Sequence, residues 1–186
     1  MPDIFEEIST LGHEQVVLCS LPEVGLRAII AVHDTTLGPA GGGLRMWQYT
    51  DDRAALTDAL RLSRGMTYKY AAAGLNLGGG KAVIIGDPKT QKTEALIRAF
   101  GRFMSRMGGL YLTGEDVGIT LEDLVVLRSE TPYVITMPEE NGGVGPIAPA
   151  TAVGTLEGIK AAVAAAYGSP DLKGKRAAVQ GVGAVG

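Results

Sequence analysis

Residues 81–113 most restrict what this chain can fold into. "KAVIIGDP" (81–88) is a short apolar run stopped by Gly86 and Pro88, and it predicts a strand. From about Thr93 to Met107, the residues Leu96, Phe100, Phe103 and Met107 mark one face of a helix. Gly108 and Gly109 stop that helix, and "LYLT" (110–113) is strand-like again. Strand, helix and strand in close succession bury their apolar faces as layers, which makes this an α/β chain.

The flanking segments extend the pattern. "EQVVLCS" (14–20) and "LRAIIAVHD" (26–34) predict two strands joined by a turn at Pro22–Gly25. Asp51 and Asp52 are caps for a helix from near Arg53, with Leu56, Ala59, Leu60 and Met66 on its stripe and Gly74 near its end. Thr120 and Asp123 form a capping-box-like start for a helix reaching Arg128. "PEENGGVGPIAP" (138–149) predicts a glycine- and proline-rich hinge loop. An alanine-dense helix follows over about Thr151 to Tyr167, with Gly154 and Gly158 on one face as a sign of close packing. Ala177–Val179 then predicts a short strand, and Gly181, Gly183 and Gly186 fill G-x-G-x-x-G. That pattern belongs to the turn between a strand and a helix whose N-terminus holds a pyrophosphate. The expected boundaries are a first domain over 1–140 and a second region over 141–186.

Composition excludes several classes. The 186 residues are 46% hydrophobic and 20% charged, which is a globular balance with a sizeable core. A net charge of −3 and no basic stripe argue against a nucleic-acid partner. The only short basic cluster, Lys173 to Arg176, predicts a solvated turn. No run of 18 apolar residues exists, so no membrane span is expected. The acidic N-terminal stretch lacks the signal-peptide pattern. Cys19 is the sole cysteine and sits in a strand-like run, where a small buried hydrophobe is expected. These features together predict a cytoplasmic protein.

Three stretches have the composition of a reactive site. "GPAGGGLRMW" (38–47) has three successive glycines at 41, 42 and 43. They fit either a flexible loop or a place where backbone approaches a ligand. "GMTYKYAAAGLNLGGGKAVIIGDP" (65–88) sets Lys69 and Lys81 in apolar company. Lysine is rarely buried without a reason. Partial burial and mutual repulsion would lower a lysine pKa toward the range of a general base, and two ammonium groups could share an anion. A phosphate loop of the Walker kind is excluded: Leu75 stands at its first glycine, Ala82 follows the lysine, and a strand follows instead of a helix. "YLTGEDVGIT" (111–120) places Glu115 and Asp116 at a strand end, where sites collect. Being adjacent, they point different ways, so at most one faces a site. His13 and His33 lack Cys or acidic partners at ligand spacing, and no metal site is expected.

These stretches, with "GRFMSRMGGLYLTGEDVGIT" and "GKRAAVQGVGAVG", occur in one order over most of the chain. Together they resemble the amino-acid dehydrogenases of the glutamate, leucine, phenylalanine and valine family, nearest to its leucine-type branch. The resemblance covers the front part of such an enzyme. It implies a substrate-binding and oligomerisation domain with a mixed sheet and flanking helices, then a hinge and the first strand of a truncated Rossmann domain. It also implies NAD as cofactor, an L-amino acid oxidised to its 2-oxo acid and ammonia, and a homo-oligomer built through the N-terminal domain. Carried onto this chain, Lys69 holds the substrate carboxylate, Lys81 activates water, and Asp116 moves protons to and from the substrate nitrogen. Gly42 and Gly43 shape the floor of the site. The glycine pattern and Thr151 fall on the cofactor side.

Two departures from the family pattern stand out. Gly41 replaces the bulky residue usual in leucine-type enzymes, which predicts a wider side-chain pocket that accepts phenylalanine. Ala148–Ala152 stands where the family often has a Ser-Pro-Val-Thr-Ala run, and the resemblance implies that Thr151 keeps a contact near the nicotinamide. Without a helix after Gly181–Gly186, the 186-residue chain alone is expected to bind NADH poorly and not to turn over. The alternatives are a non-catalytic self-associating domain, or a phenylalanine, tryptophan or glutamate dehydrogenase.

Overall fold

A computed structural model describes residues 3–186. They divide into two compact units, one reaching Gly145 and one over Pro146–Gly186.

The first unit is a five-stranded mixed sheet with helices on both faces. In chain order its elements are α1 (Ile4–Leu11), β1 (Gln15–Leu21), β2 (Leu26–Asp34), β3 (Ala40–Trp47), α2 (Asp52–Ala72), β4 (Gly78–Ile85), α3 (Glu94–Ser105), β5 (Tyr111–Gly114) and α4 (Leu121–Arg128). The strands lie in the order β1-β2-β4-β3-β5. β2 runs antiparallel to β1 and β4, while β3 is parallel to both β4 and β5. The central strands read as apolar on both sides because helices cover both.

One face packs α3 and α4 onto Leu26, Ile30, Leu44, Met46 and Ile84. Leu96, Phe100 and Met104 of α3 are fully or almost fully buried there, each contributing roughly 1.5–3 kcal/mol of transfer free energy. Cys19 lies in the same cluster, and burial pushes its thiol up to about 11, so it is an inert packing group. The other face packs α2 onto Ile29, Ala31 and Val83 through Ala55, Leu56, Ala59 and Leu60. His13 and His33 meet edge-on at 4.9 Å beneath this helix. Nε2 of His13 lies 2.8 Å from Ser63 Oγ, and Nδ1 of His33 lies 2.8 Å from Thr67 Oγ1. Both rings are structural partners of α2.

Caps fall where the sequence places them. Asp51 accepts from the amide of Ala54, Thr93 from Leu96, and Thr120 and Asp123 form a reciprocal capping box.

Several expectations need correction. "AGGGLRMW" is not a flexible loop but the interior strand β3. Its glycines are needed because β4 meets it with glycines of its own: a Cβ on Gly42 would overlap the carbonyl oxygen of Gly80. β4 starts at Gly78, three residues before Lys81, for the same reason. No element is expected over 4–11, yet acidic residues in the first turn and a left-handed Gly12 bound α1 there, and its Glu7 receives Arg53 Nη2 at 2.5 Å and Thr57 Oγ1 at 3.0 Å from α2.

The second unit holds α5 (Ala148–Tyr167), with an extended tail after Gly168. Nothing within this unit packs on Gly154 or Gly158. Ala177–Val179 is not a strand: it belongs to no sheet of the described residues, and an apolar run without a ladder partner has no partner for its backbone groups.

Candidate active site

β3, β4 and the segment after β5 lie side by side, and their facing residues form the site. Residues of a strand alternate between faces, so Gly41, Gly43 and Arg45 of β3 share one face. Lys81 of β4 shares it with Gly79, against which α2 packs closely. Its side chain passes over Gly43, whose missing Cβ would lie 3.1 Å from Nζ. The same Cβ would lie 2.9 Å from Cβ of Asp116, which β5 delivers at its C-terminal end. Gly43 is therefore the floor on which the lysine and the carboxylate meet.

Lys81 Nζ lies 2.9 Å from Asp116 Oδ2. The lysine is only 5% exposed, and the carboxylate side chain 22%. Burial lowers the Lys81 pKa below the ordinary lysine value. Asp116 works against that shift, and Arg45 adds to it. Burial alone would raise the Asp116 pKa, but Lys81 and Arg45 outweigh it and hold the carboxylate below the ordinary range. The pair thus combines an ammonium poised to lose its proton with a carboxylate that stays ionised.

Sequence reasoning missed Arg45, Asp58 and Tyr49. Arg45 donates from Nε to Asp116 Oδ2 at 2.7 Å and from Nη1 to Asp58 Oδ2 at 2.9 Å. Tyr49 donates its hydroxyl to the same Asp58 oxygen at 2.6 Å. The arm ties α2 to the floor formed by Gly43 and aims the guanidinium. Its only sequence signal is period-two spacing from Gly43 to Arg45, legible once β3 is known to be a strand. Arg45 also borders a cleft of about 810 Å³ lined by Trp47, Tyr49, Asp58, Arg61 and Val117. A hollow of about 410 Å³ beside Leu18, Cys19 and Leu56 contains none of the expected site residues.

Of the adjacent carboxylates, Asp116 faces Lys81; the backbone amide of Glu115 donates to Thr136 Oγ1 at 2.7 Å. Lys69 lies exposed on the last turn of α2, with no ion-pair partner among the described residues. The cation that repels Lys81 is Arg45, not Lys69 as expected. The space expected at Gly41 is filled: a Cβ there would lie 2.9 Å from Cε2 and from the hydroxyl of Tyr70. In the second unit, Thr151 donates its hydroxyl to the carbonyl of Ile147, one turn back in the chain.

A desolvated lysine against a carboxylate, on a glycine floor in an α/β sheet, is an arrangement of acid–base type. Residues 13–137 match the family model for the Glu/Leu/Phe/Val dehydrogenase dimerisation domain, and the chain belongs to that family. It is 57% identical to leucine dehydrogenase of Geobacillus stearothermophilus, over 98% of this chain and 50% of that protein. It is 51% identical to phenylalanine dehydrogenase of Bacillus thermotolerans, over 98% of this chain and 47% of that one. The crystal structure of L-tryptophan dehydrogenase from Nostoc punctiforme superposes with a TM-score of 0.74 at 48% identity, covering 99% of this chain and 52% of that one. The chain thus spans about half the length of these relatives.

Proposed function

We propose that this chain is the substrate-binding and catalytic part of an NAD-dependent dehydrogenase that deaminates a branched-chain or other apolar L-amino acid to its 2-oxo acid and ammonia. The observation that supports this most directly is the 2.9 Å contact of Lys81 Nζ with Asp116 Oδ2 above Gly43. Neutral Lys81 takes a proton from the water that attacks the imino carbon. Asp116 accepts and returns protons at the substrate nitrogen, and its charge offsets the cationic imine beside Arg45. Lys69, exposed and without an ion-pair partner among the described residues, binds the substrate carboxylate. Gly43 keeps the floor low enough for the substrate backbone to reach both groups, and Gly42 supports it by letting β4 lie close.

NAD is the oxidant this chemistry calls for; Gly181, Gly183 and Gly186 are its sequence support, and Thr151 is the residue that would contact it from the second unit. Residues 177–186 are neither strand nor helix in this structure, so the pyrophosphate cradle is not formed here and no step is derived through the cofactor. No helix among the described residues is long and apolar enough to cross a membrane. A cytoplasmic homo-oligomer assembled through the first unit completes the reading.

The test is an NAD+ reduction assay of the intact gene product with L-leucine, L-valine and L-phenylalanine. Saturable turnover that Lys81→Met and Asp116→Asn both abolish supports the assignment; turnover that survives either substitution refutes it. The dimerisation-domain family match favours one second reading, a self-associating domain without catalysis. Light scattering that finds an oligomer in a preparation with no turnover would select it.

A further inference from the structure

The catalytic floor has two ends, and they differ in chemistry. Gly43 stands between Arg45 and Gly41 on one face of β3. Toward Arg45 the ground is charged and polar, filled by the guanidinium, the Asp58 carboxylate and the Tyr49 hydroxyl. An apolar substrate side chain turned that way would desolvate those groups without replacing their hydrogen bonds. The side chain of a substrate held over Gly43 therefore turns toward Gly41. There it meets Tyr70, whose ring reaches from the last turn of α2 across Gly41, with Cε2 and the hydroxyl both 2.9 Å from where a Cβ at 41 would lie.

Tyr70 is half-buried, and burial raises its phenol pKa, so the hydroxyl stays protonated. Among the described residues that hydroxyl has no hydrogen-bond partner. The ring therefore owes its position to packing over Gly41, where the missing side chain leaves it room. Residue 41 and residue 70 compete for one volume, and in this chain residue 70 holds it.

We propose that Tyr70 is the specificity-determining residue of the substrate side-chain subsite, its ring being the wall that sets how large an apolar side chain can be. The proposal rests on the amino-acid dehydrogenase reading above. It locates selectivity in the pair Gly41–Tyr70 and predicts that the two positions are coupled. Gly41→Ala pushes the ring, and shortening Tyr70 removes the clash.

The experiment compares kcat/KM for L-leucine and L-phenylalanine in the intact gene product, in its Tyr70→Ala, Tyr70→Leu and Gly41→Ala variants and in the Gly41→Ala/Tyr70→Ala double variant. Pocket-size changes of this kind are worth about tenfold or more in discrimination. Tyr70→Ala is expected to raise the phenylalanine-to-leucine ratio by at least about tenfold, and Tyr70→Leu to raise it by less. Gly41→Ala is expected to lower kcat/KM for both substrates, and adding Tyr70→Ala to restore most of that loss. Tyr70→Leu keeps more of the packing volume, so it provides the ratio if the alanine variant does not fold. An active wild type whose ratio is unmoved in the folded Tyr70 variants overturns the proposal alone. A wild type that oxidises no L-amino acid overturns the dehydrogenase reading, and this proposal with it.

Discussion

Arg45 donates from Nε to Oδ2 of Asp116 at 2.7 Å, the oxygen that Lys81 also reaches. Two cations converge on one carboxylate oxygen, and Oδ1 is left to face other groups. Arg45 favours ionised Asp116 and disfavours charged Lys81, so it lowers both pKa values. Replacing it with glutamine removes both effects. The limb of the kcat/KM profile that rises as Lys81 loses its proton is expected to move to higher pH. A pH–rate profile of Arg45→Gln over pH 6 to 11 checks this; a limb that stays in place or moves down contradicts the assignment.

The two partners of the ion pair should differ in what their loss does to stability. Lys81→Met removes a desolvated cation and leaves Asp116 with Arg45, so the cost is expected to be under about 1 kcal/mol. Asp116→Asn leaves the buried Lys81 without its counter-ion, while Arg45 keeps Asp58. It is expected to cost about 3 kcal/mol, because an uncompensated buried charge is expensive. Urea midpoints of the two variants at pH 7 measure the difference. Both are expected to lose about 10²–10⁴-fold in kcat.

Gly42 is a packing requirement of the β3–β4 ladder. Any Cβ there overlaps the Gly80 carbonyl across the β3–β4 ladder, and a backbone atom in a central sheet yields little. Gly42→Ala is therefore expected to cost about 3 kcal/mol or more. Thermal unfolding of the variant shows this as a lowered midpoint; a midpoint within 2 °C of wild type would count against it.

His13 makes the first unit sensitive to acid. Burial first, and the neighbouring His33 second, lower its pKa from 6.5 to about 4. A depressed pKa means the folded state binds fewer protons than the unfolded chain between those two values. Stability from this group is complete above pH 6.5 and is lost as pH falls toward 4, by about 2–3 kcal/mol. Unfolding titrations at pH 7.0 and 4.5 are expected to show that loss in wild type and a smaller one in His13→Gln.

Local patterns in the sequence determined most of the elements. The apolar run at 81–85, the stripe Leu96–Phe100–Phe103 and the Thr120–Asp123 box need only nearest neighbours to act, and each stands where its pattern places it. The sequence also marked Lys81, together with Lys69, because lysines in apolar company are unusual; between Glu115 and Asp116 the residues alone left the choice open, and only the family resemblance singled out Asp116. Tertiary structure decided the rest. It made "AGGGLRMW" an interior strand, since glycines favour a strand only when a neighbouring backbone comes too close for any side chain. It brought Arg45 to Asp116 across 71 positions and Tyr70 to Gly41 across a helix–sheet interface. It left Ala177–Val179 without ladder partners, so a run with strand-like composition did not become one. Periodicity and capping are local interactions, read along the chain. Close approach, counter-charge and filled volume arise between segments distant in sequence, and only the packed fold specifies them.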